Sequence, residues 1–171
     1  MRRNWLEFYK NENIPKTPTS FAQFVLPFFK GQTIADLGCG NKRDTEYFRH
    51  HGYTVHPVDP YSIEDDVIKV YSSDYNLTED IVYSRFFLHS ISNNEIIDIL
   101  DRTPNMFCAE TRVEGDTPLI YKHERNLINP EWLLQIMLTL GYNISYVHIG
   151  RGLAPYKNED PLVLRVIGEK C

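Results

Sequence analysis

The stretch Thr33-Ile-Ala-Asp-Leu-Gly-Cys-Gly40 is the most informative part of the chain about its fold. Its first five residues have the length and the apolar character of a buried strand, which then breaks into a glycine turn. Gly38 and Gly40 let the backbone turn tightly and approach a ligand, because neither carries a Cβ atom. The residues from about 42 to 52 predict a helix. The stretch therefore predicts a strand, a ligand-binding turn and a helix in succession.

Strands and helices alternate along the rest of the chain. Further strands are predicted at 53–59, weakly at 65–71, and at 80–84 and 105–111. One helix begins with the capping box of Ser92 and Glu95, and a longer one begins with Asn129 as its cap and Pro130 as its first residue. This alternation predicts an α/β fold with a mostly parallel sheet.

The last two predicted strands, Asn143–Ile149 and Pro161–Ile167, are joined by Gly-Arg-Gly-Leu-Ala-Pro-Tyr-Lys-Asn-Glu-Asp. Parallel neighbours need a crossover of a dozen or more residues, which is usually a helix. This connection has no apolar period and contains Pro155, so it is a poor helix. An antiparallel C-terminal hairpin is therefore predicted, which distinguishes this doubly wound sheet from that of an ordinary dinucleotide-binding domain.

Residues 1–171 are predicted to form a single domain, because a chain of this length can bury a sufficient core. Residues 33–171 are its core, and residues 1–32 are an N-terminal helical segment. The aromatic residues Trp5, Phe8 and Tyr9 in that segment are interpreted as core packing. A lid over the ligand is the functional alternative.

The composition narrows the classes of partner. A formal net charge of -5 argues against a duplex nucleic-acid partner, since phosphate binding needs a basic face. No apolar run is long enough to span a bilayer and no secretory segment opens the chain, so a cytoplasmic protein without a membrane partner is expected. Cys39, Cys108 and Cys171 do not have the spacing of zinc ligands or of a redox motif, so no metal site is predicted.

Acidic residues at two strand ends indicate a nucleoside cofactor. Ligands of open α/β sheets bind at the carboxyl ends of the strands. Asp59 ends the second strand before Pro60 and can accept both hydroxyls of a ribose; Asp36, Gly38, Cys39 and Gly40 end the first strand. An adenosyl cofactor and NAD both fit this pattern. The dinucleotide motif would need a third glycine where this chain has Arg43, which favours the adenosyl cofactor.

Ile34-Ala-Asp-Leu-Gly-Cys-Gly40 resembles the first motif of class I S-adenosylmethionine-dependent methyltransferases, and Val58-Asp59 resembles the acidic end of their second motif. The resemblance extends from Thr33 to the C-terminus. It implies a Rossmann-like fold and S-adenosyl-L-methionine as cofactor. Ser73-Asp-Tyr75 is similar to the segment that contacts adenine, which implies binding by Asp74 and Tyr75. Asp80-Ile-Val-Tyr-Ser-Arg85 is similar to the strand beside the methionine moiety, which implies binding by Ser84 and Arg85.

The sequence departs from that family at two points. Lys42 stands where many members carry a third glycine, and only 15 residues separate Asp59 from Asp74. The helix between the second and third strands is therefore expected to be stunted or absent. Two strings, Gly38-Cys-Gly-Asn-Lys-Arg-Asp44 and Arg85-Phe-Phe-Leu-His89, resemble a bacterial subgroup that methylates small molecules. This resemblance implies sugar or surface-glycan modification.

The substrate side offers two candidate bases. His89 follows the fourth predicted strand, and its ordinary pKa near 6.5 suits a base at neutral pH. His123 is the reserve candidate. A helix-capping or core role is the alternative for His89. Four arginines fall where the ends of the elements should converge, and guanidinium groups suit anions. The candidates for substrate binding are Arg85, Arg112, Arg125, Arg151 and Tyr156.

These observations predict an S-adenosylmethionine-dependent methyltransferase that methylates an oxygen of a small anionic metabolite or surface-glycan precursor. The alternatives are a small-amine N-methyltransferase and a non-catalytic binding subunit with the same fold. An NAD-dependent oxidoreductase ranks third because of Arg43 and the hairpin. A nucleic-acid base methyltransferase is disfavoured, since Ser84-Arg-Phe-Phe87 stands where an Asn-Pro-Pro-aromatic motif would be needed.

Overall fold

A six-stranded sheet forms the centre of the computed structural model, which describes residues 4–11, 14–116 and 125–171. The sheet order is β2-β1-β3-β4-β6-β5. The strands are β1 (Thr33–Leu37), β2 (Thr54–Val58), β3 (Ile81–Arg85), β4 (Met106–Arg112), β5 (Tyr142–Gly150) and β6 (Val163–Lys170). The helices are α1 (Trp5–Asn11), α2 (Ser20–Val25), α3 (Arg43–His50), α4 (Asn93–Arg102) and α5 (Pro130–Thr139). None of the described helices is long and apolar enough to cross a membrane.

The predicted pairing of the last two strands is confirmed. The neighbouring strands β2, β1, β3 and β4 are parallel to one another, whereas β6 runs antiparallel to both β4 and β5. The connection from β5 to β6 is irregular, with Pro155 inside it. The C-terminal hairpin therefore has the form that its poor helical pattern predicted.

The predicted strand at 65–71 is wrong. Only one parallel bridge, between Val58 and Ile68, links this segment to the sheet. Asp66 instead forms ion pairs with Lys42 and Arg49 on the side of α3. Arg102 holds the residues that follow this segment by donating to the backbone carbonyl oxygens of Ser72 at 3.0 Å and Tyr75 at 2.8 Å. A short connection tied down by side chains replaces the extra strand and helix.

Two apolar clusters cover the two faces of the sheet. On one face, α4 and α5 pack against β1, β3 and β4, and the buried residues include Leu37, Val82, Ile96, Ile99, Leu133 and Met137. On the other face, α2 and α3 contribute Phe21, Val25 and Phe48, which surround Tyr83. Because β1 to β4 are parallel, their carboxyl ends meet at one edge of the sheet. That edge carries the predicted site residues.

Candidate functional site

The glycine turn after β1 forms the floor of the site. Gly38 and Gly40 have φ angles of +73° and +56°, which side chains rarely adopt. The Gly38 N–H donates to the Val58 carbonyl oxygen at 2.8 Å, which ties the turn to β2. A Cβ atom on Gly38 would lie 2.7 Å from Cδ2 of Phe87. The turn therefore needs glycine both for its backbone conformation and for the ring above it.

Asp59, at the end of β2, is the main polar group beside this turn and is only 4% exposed. Its carboxylate accepts hydrogen bonds from the N–H groups of Gly40 at 3.1 Å and Tyr61 at 2.8 Å. It also accepts one from the hydroxyl of Tyr9 in α1 at 3.2 Å. Burial raises the pKa of Asp59, against the effect of these donors. The carboxylate is thus arranged to accept hydroxyl groups.

These residues fit an adenosyl cofactor. Asp59 already accepts a hydroxyl, as it would from a ribose. A cavity of about 220 Å³ adjoins the glycine turn, and the residues around it include Tyr9, Gly40, Asn41 and Ile63. At the end of β3, the buried hydroxyl of Ser84 has no hydrogen-bond partner within the described part of the chain. The predicted residues thus lie together directly after the ends of the two neighbouring strands β1 and β2; they are Gly38, Cys39, Gly40, Asp59 and Pro60.

The surroundings of Asp36 and Cys39 indicate structural roles for both side chains. Asp36 is buried and accepts a hydrogen bond from the Thr45 hydroxyl, which links β1 to α3. Burial raises the pKa of Asp36 to about 7. Burial also raises the pKa of the Cys39 thiol, so the thiol is uncharged at neutral pH. Neither group is placed as a nucleophile.

Asp74 and Tyr75 are less closely tied to the turn. The Asp74 side chain is exposed, and its backbone N–H donates to the Tyr71 carbonyl oxygen at 2.9 Å. The Tyr75 hydroxyl donates to the buried Glu79 at 2.6 Å. Glu79 also contacts the ring nitrogen Nδ1 of His56. Adenine binding by Asp74 and Tyr75 stays a prediction.

A row of charged side chains, one glutamate between two arginines, crosses β3, β4 and β6. Glu110 of β4 is completely buried, and its two carboxylate oxygens accept from Nε of Arg85 at 3.0 Å and Nε of Arg165 at 2.7 Å. Arg165 also donates to the Ser20 hydroxyl and to the Leu153 carbonyl oxygen. Arg85 thus reaches the site edge already bound to one carboxylate.

The other predicted arginines divide between two places. Arg112 pairs with Asp116 at 3.0 Å and with Glu159, and the more exposed Arg151 reaches the same Asp116 at 3.4 Å. The guanidinium carbons of Arg85 and Arg112 lie 4.3 and 5.7 Å from the ring centroid of Phe86. Arg85 and Arg112 therefore meet at one aromatic ring, whereas Arg151 lies on the far side of Asp116.

His89 is buried in this arginine-rich region. Its Nδ1 atom lies 3.2 Å from the Thr111 hydroxyl and 3.5 Å from the Arg112 backbone nitrogen. Burial, followed by the charges of Arg125, Arg112 and Arg85, holds the pKa of His89 well below its usual range. Its imidazole is neutral at pH 7 but weakly basic. The roles of His89 and Arg125 stay predictions, and His123 lies outside the described residues.

Three aromatic residues contribute to the site; sequence reasoning named Tyr9 only within the alternative of a lid and gave Phe86 and Phe87 no role. Tyr9 contacts Asp59, Phe86 takes a φ angle of +54°, and Phe87 covers Gly38. A bulky residue in this conformation is unusual and is found mainly at functional sites. The aromatic pair directly after β3 was a signal that could have been noticed, but the contact of Tyr9 depends on how α1 docks.

The described residues contain no group of three or more histidine, cysteine, aspartate or glutamate side chains that could hold a metal ion.

Known proteins similar to this chain are found by comparing three-dimensional structures. No protein-family model and no curated protein matches the sequence. TehB from Haemophilus influenzae matches with a TM-score of 0.72 and 12% identity, over 99% of this chain and 68% of that chain. Magnesium protoporphyrin IX methyltransferase (ChlM) from Synechocystis PCC 6803 with bound SAM matches with a TM-score of 0.68 and 9% identity, over 98% and 80%.

A third match is 1,6-didemethyltoxoflavin-N1-methyltransferase from Burkholderia thailandensis, whose structure contains 1,6-didemethyltoxoflavin and S-adenosylhomocysteine. Its TM-score is 0.65 and its identity 16%, over 88% of this chain and 76% of that chain. In the sheet order, β6 is second from one edge and antiparallel to both of its neighbours. Because of this order and of these structural matches, we conclude that the chain has the class I methyltransferase fold.

Proposed function

We propose that this protein is an S-adenosylmethionine-dependent methyltransferase of small molecules, which methylates an oxygen atom of an anionic metabolite or surface-glycan precursor. The observation that carries the proposal is Asp59, a buried carboxylate at the end of β2 that accepts a hydroxyl beside a glycine turn. In this fold that is the place for a ribose.

Each part of the site has a role in this proposal. Asp59 would bind the ribose hydroxyls, the Gly38–Gly40 backbone and the unpartnered hydroxyl of Ser84 would hold the methionine moiety, and Asp74 would bind adenine. When bound, the cofactor supplies an electrophilic methyl group on a sulfonium. The protein then has to hold an acceptor oxygen in line with that methyl group and exclude water.

The arginines at the edge support an anionic acceptor, although Arg85 is already paired with Glu110 and Arg112 with Asp116 and Glu159. Arg85, Arg112 and Arg125 all influence His89, so three guanidinium groups converge on one region of an acidic protein. His89 is proposed to take the proton of a hydroxyl acceptor on Nε2, in the neutral tautomer whose Nδ1–H donates to the Thr111 hydroxyl.

Calorimetric titration tests the cofactor. S-adenosylhomocysteine should bind and NAD should not, and binding of NAD alone would contradict the proposal. Asp59→Ala should weaken S-adenosylhomocysteine by about 1.5–3 kcal/mol, as expected when hydrogen bonds to a charged group are lost. Asp101→Ala, which changes an exposed carboxylate at the end of α4, is the matched control and should leave the affinity unchanged.

A further inference from the structure

We propose that Arg43, together with Arg85, binds one carboxylate group of the acceptor, which makes Arg43 a specificity-determining residue. The inference rests on the proposed function, because it places the acceptor next to the cofactor site. It adds a residue that the sequence motifs leave without a role in substrate binding.

Arg43 differs from its neighbours by having no partner. It is the first residue of α3 and is half-buried, yet its guanidinium forms no hydrogen bond or ion pair with any other residue in the described ranges. Arg49 in the same helix pairs with Glu46 at 2.9 Å and Asp66 at 2.6 Å. Partly burying a charge without a partner is unfavourable. A ligand anion would satisfy it.

The N-terminus of α3 is held against β3 near Arg85. Asp44, the residue after Arg43, accepts the Tyr83 hydroxyl at 2.7 Å, and Tyr83 and Arg85 lie on the same face of β3. β1 and β3 are parallel neighbours with Leu37 opposite Ser84, so Arg85 lies beside the turn that leads into α3. Burial and then the charge of Arg85 lower the pKa of Arg43, as expected for two nearby cations. Tyr156, in the connection from β5 to β6, is also close enough to influence Arg43.

The charges in this region favour a singly charged ligand. Three cations, Arg43, Arg85 and Arg165, face two carboxylates. Glu110 is held by Arg85 and Arg165, and Asp44 accepts the Tyr83 hydroxyl at 2.7 Å. One positive charge is left over among these five groups, and Asp36, which is bound to Thr45 next to Asp44, keeps its proton below a pH of about 7 because its pKa is raised to that value. A guanidinium fork matches the two oxygens of a carboxylate, and a doubly charged phosphate would overcompensate the site.

The test is a titration of the full chain, followed by the side-chain Nε–Hε signals of its arginines in ¹H–¹⁵N spectra. Benzoate is the probe, benzamide is its neutral isostere, and inorganic phosphate is the dianionic comparison. Benzoate should bind saturably and shift the Arg43 signal, whereas benzamide should not. Arg43→Ala should raise the benzoate Kd about tenfold or more, typical of losing hydrogen bonds between charged groups. Arg43→Lys should also weaken binding, because it lacks the fork.

Arg49→Ala is the matched control in the same helix and should leave the benzoate Kd unchanged. The proposal is overturned if benzoate does not saturate, if benzamide binds equally well, or if Arg43→Ala has no more effect than Arg49→Ala. Tighter binding of phosphate than of benzoate would overturn the assignment of a single charge. The titration needs no cofactor, so its failure is distinct from failure of S-adenosylhomocysteine to bind the unchanged protein, which would contradict the proposed function.

Discussion

Gly38 is required both by its left-handed backbone conformation and by its contact with Phe87. Comparing Gly38→Ala with Gly52→Ala separates the two effects. Gly38→Ala would place a methyl group 2.7 Å from the Phe87 ring at a φ of +73°, whereas Gly52→Ala would meet only the backbone penalty, since Gly52 has a φ of +89° and open space around it. The left-handed conformation costs an L-residue roughly 1–2 kcal/mol. We expect Gly38→Ala to lower the free energy of unfolding by about 1–3 kcal/mol more than Gly52→Ala, through the added overlap. Urea denaturation measures both, and equal losses would show that Phe87 moves aside freely.

Asp36 makes stability depend on pH. Its pKa is raised to about 7 in the folded protein from an ordinary value of 3.8. Between these values the folded state keeps the proton and the unfolded state loses it, so this group lowers the free energy of unfolding as pH rises from about 4 to 7. One proton corresponds to about 1.4 kcal/mol per pH unit.

Asp36→Asn should remove that contribution while keeping the side chain's size. The unchanged protein should therefore lose stability relative to the variant as pH rises over this interval. Urea denaturation at several pH values measures the free energy of unfolding of both. A constant difference would mean that Asp36 is ionised throughout.

At the scale of elements, α1 brings Tyr9 to the carboxylate that is proposed to bind ribose. The Tyr9 hydroxyl and the Gly40 N–H donate to the same oxygen of Asp59. A ribose hydroxyl would compete for that oxygen. Tyr9→Phe should therefore tighten S-adenosylhomocysteine by about 0.5–1.5 kcal/mol, the net value of one hydrogen bond.

Calorimetry measures this change, with Tyr47→Phe in α3 as the control. Weaker binding would show instead that the Tyr9 hydroxyl contacts the bound cofactor. In that case α1 would act as the lid that was the functional alternative for residues 1–32.

How far the sequence predicted each element depended on whether the signal was local. The β5–β6 hairpin followed from a connection that cannot form a helix, and the start of α4 followed from Ser92 and Glu95, whose capping box is present. The segment at 65–71 has strand-forming residues, but Asp66 is held by Lys42 and Arg49 from another element. Side-chain contacts between distant elements, such as those of Tyr9 and Glu110, have no local signal. The same holds for Arg43, which has no partner among the residues that the structure describes.

At the scale of the whole molecule, Glu110 joins three strands through Arg85 of β3 and Arg165 of β6. Glu110→Gln would leave two largely buried guanidinium groups without their carboxylate. Breaking such a network typically costs about 3–5 kcal/mol, and we expect a loss of that size in the free energy of unfolding.

Glu131→Gln changes an exposed glutamate of α5 and should have little effect in the same urea denaturation experiment. Similar stability of the two variants would mean that water replaces the carboxylate of Glu110. The arginine row would then be less enclosed than its burial indicates.

The position of β6 between β4 and β5 has a consequence for how the chain folds. β4 pairs with β6 from Met106 with Glu169 to Arg112 with Val163, so the paired residues are 51 to 63 positions apart along the chain. Contacts between distant residues form slowly. Until β6 arrives, β4 presents an open edge whose N–H and C=O groups can pair with another molecule. Refolding yield should therefore fall as protein concentration rises, because insertion of β6 is independent of concentration and the competing association is not.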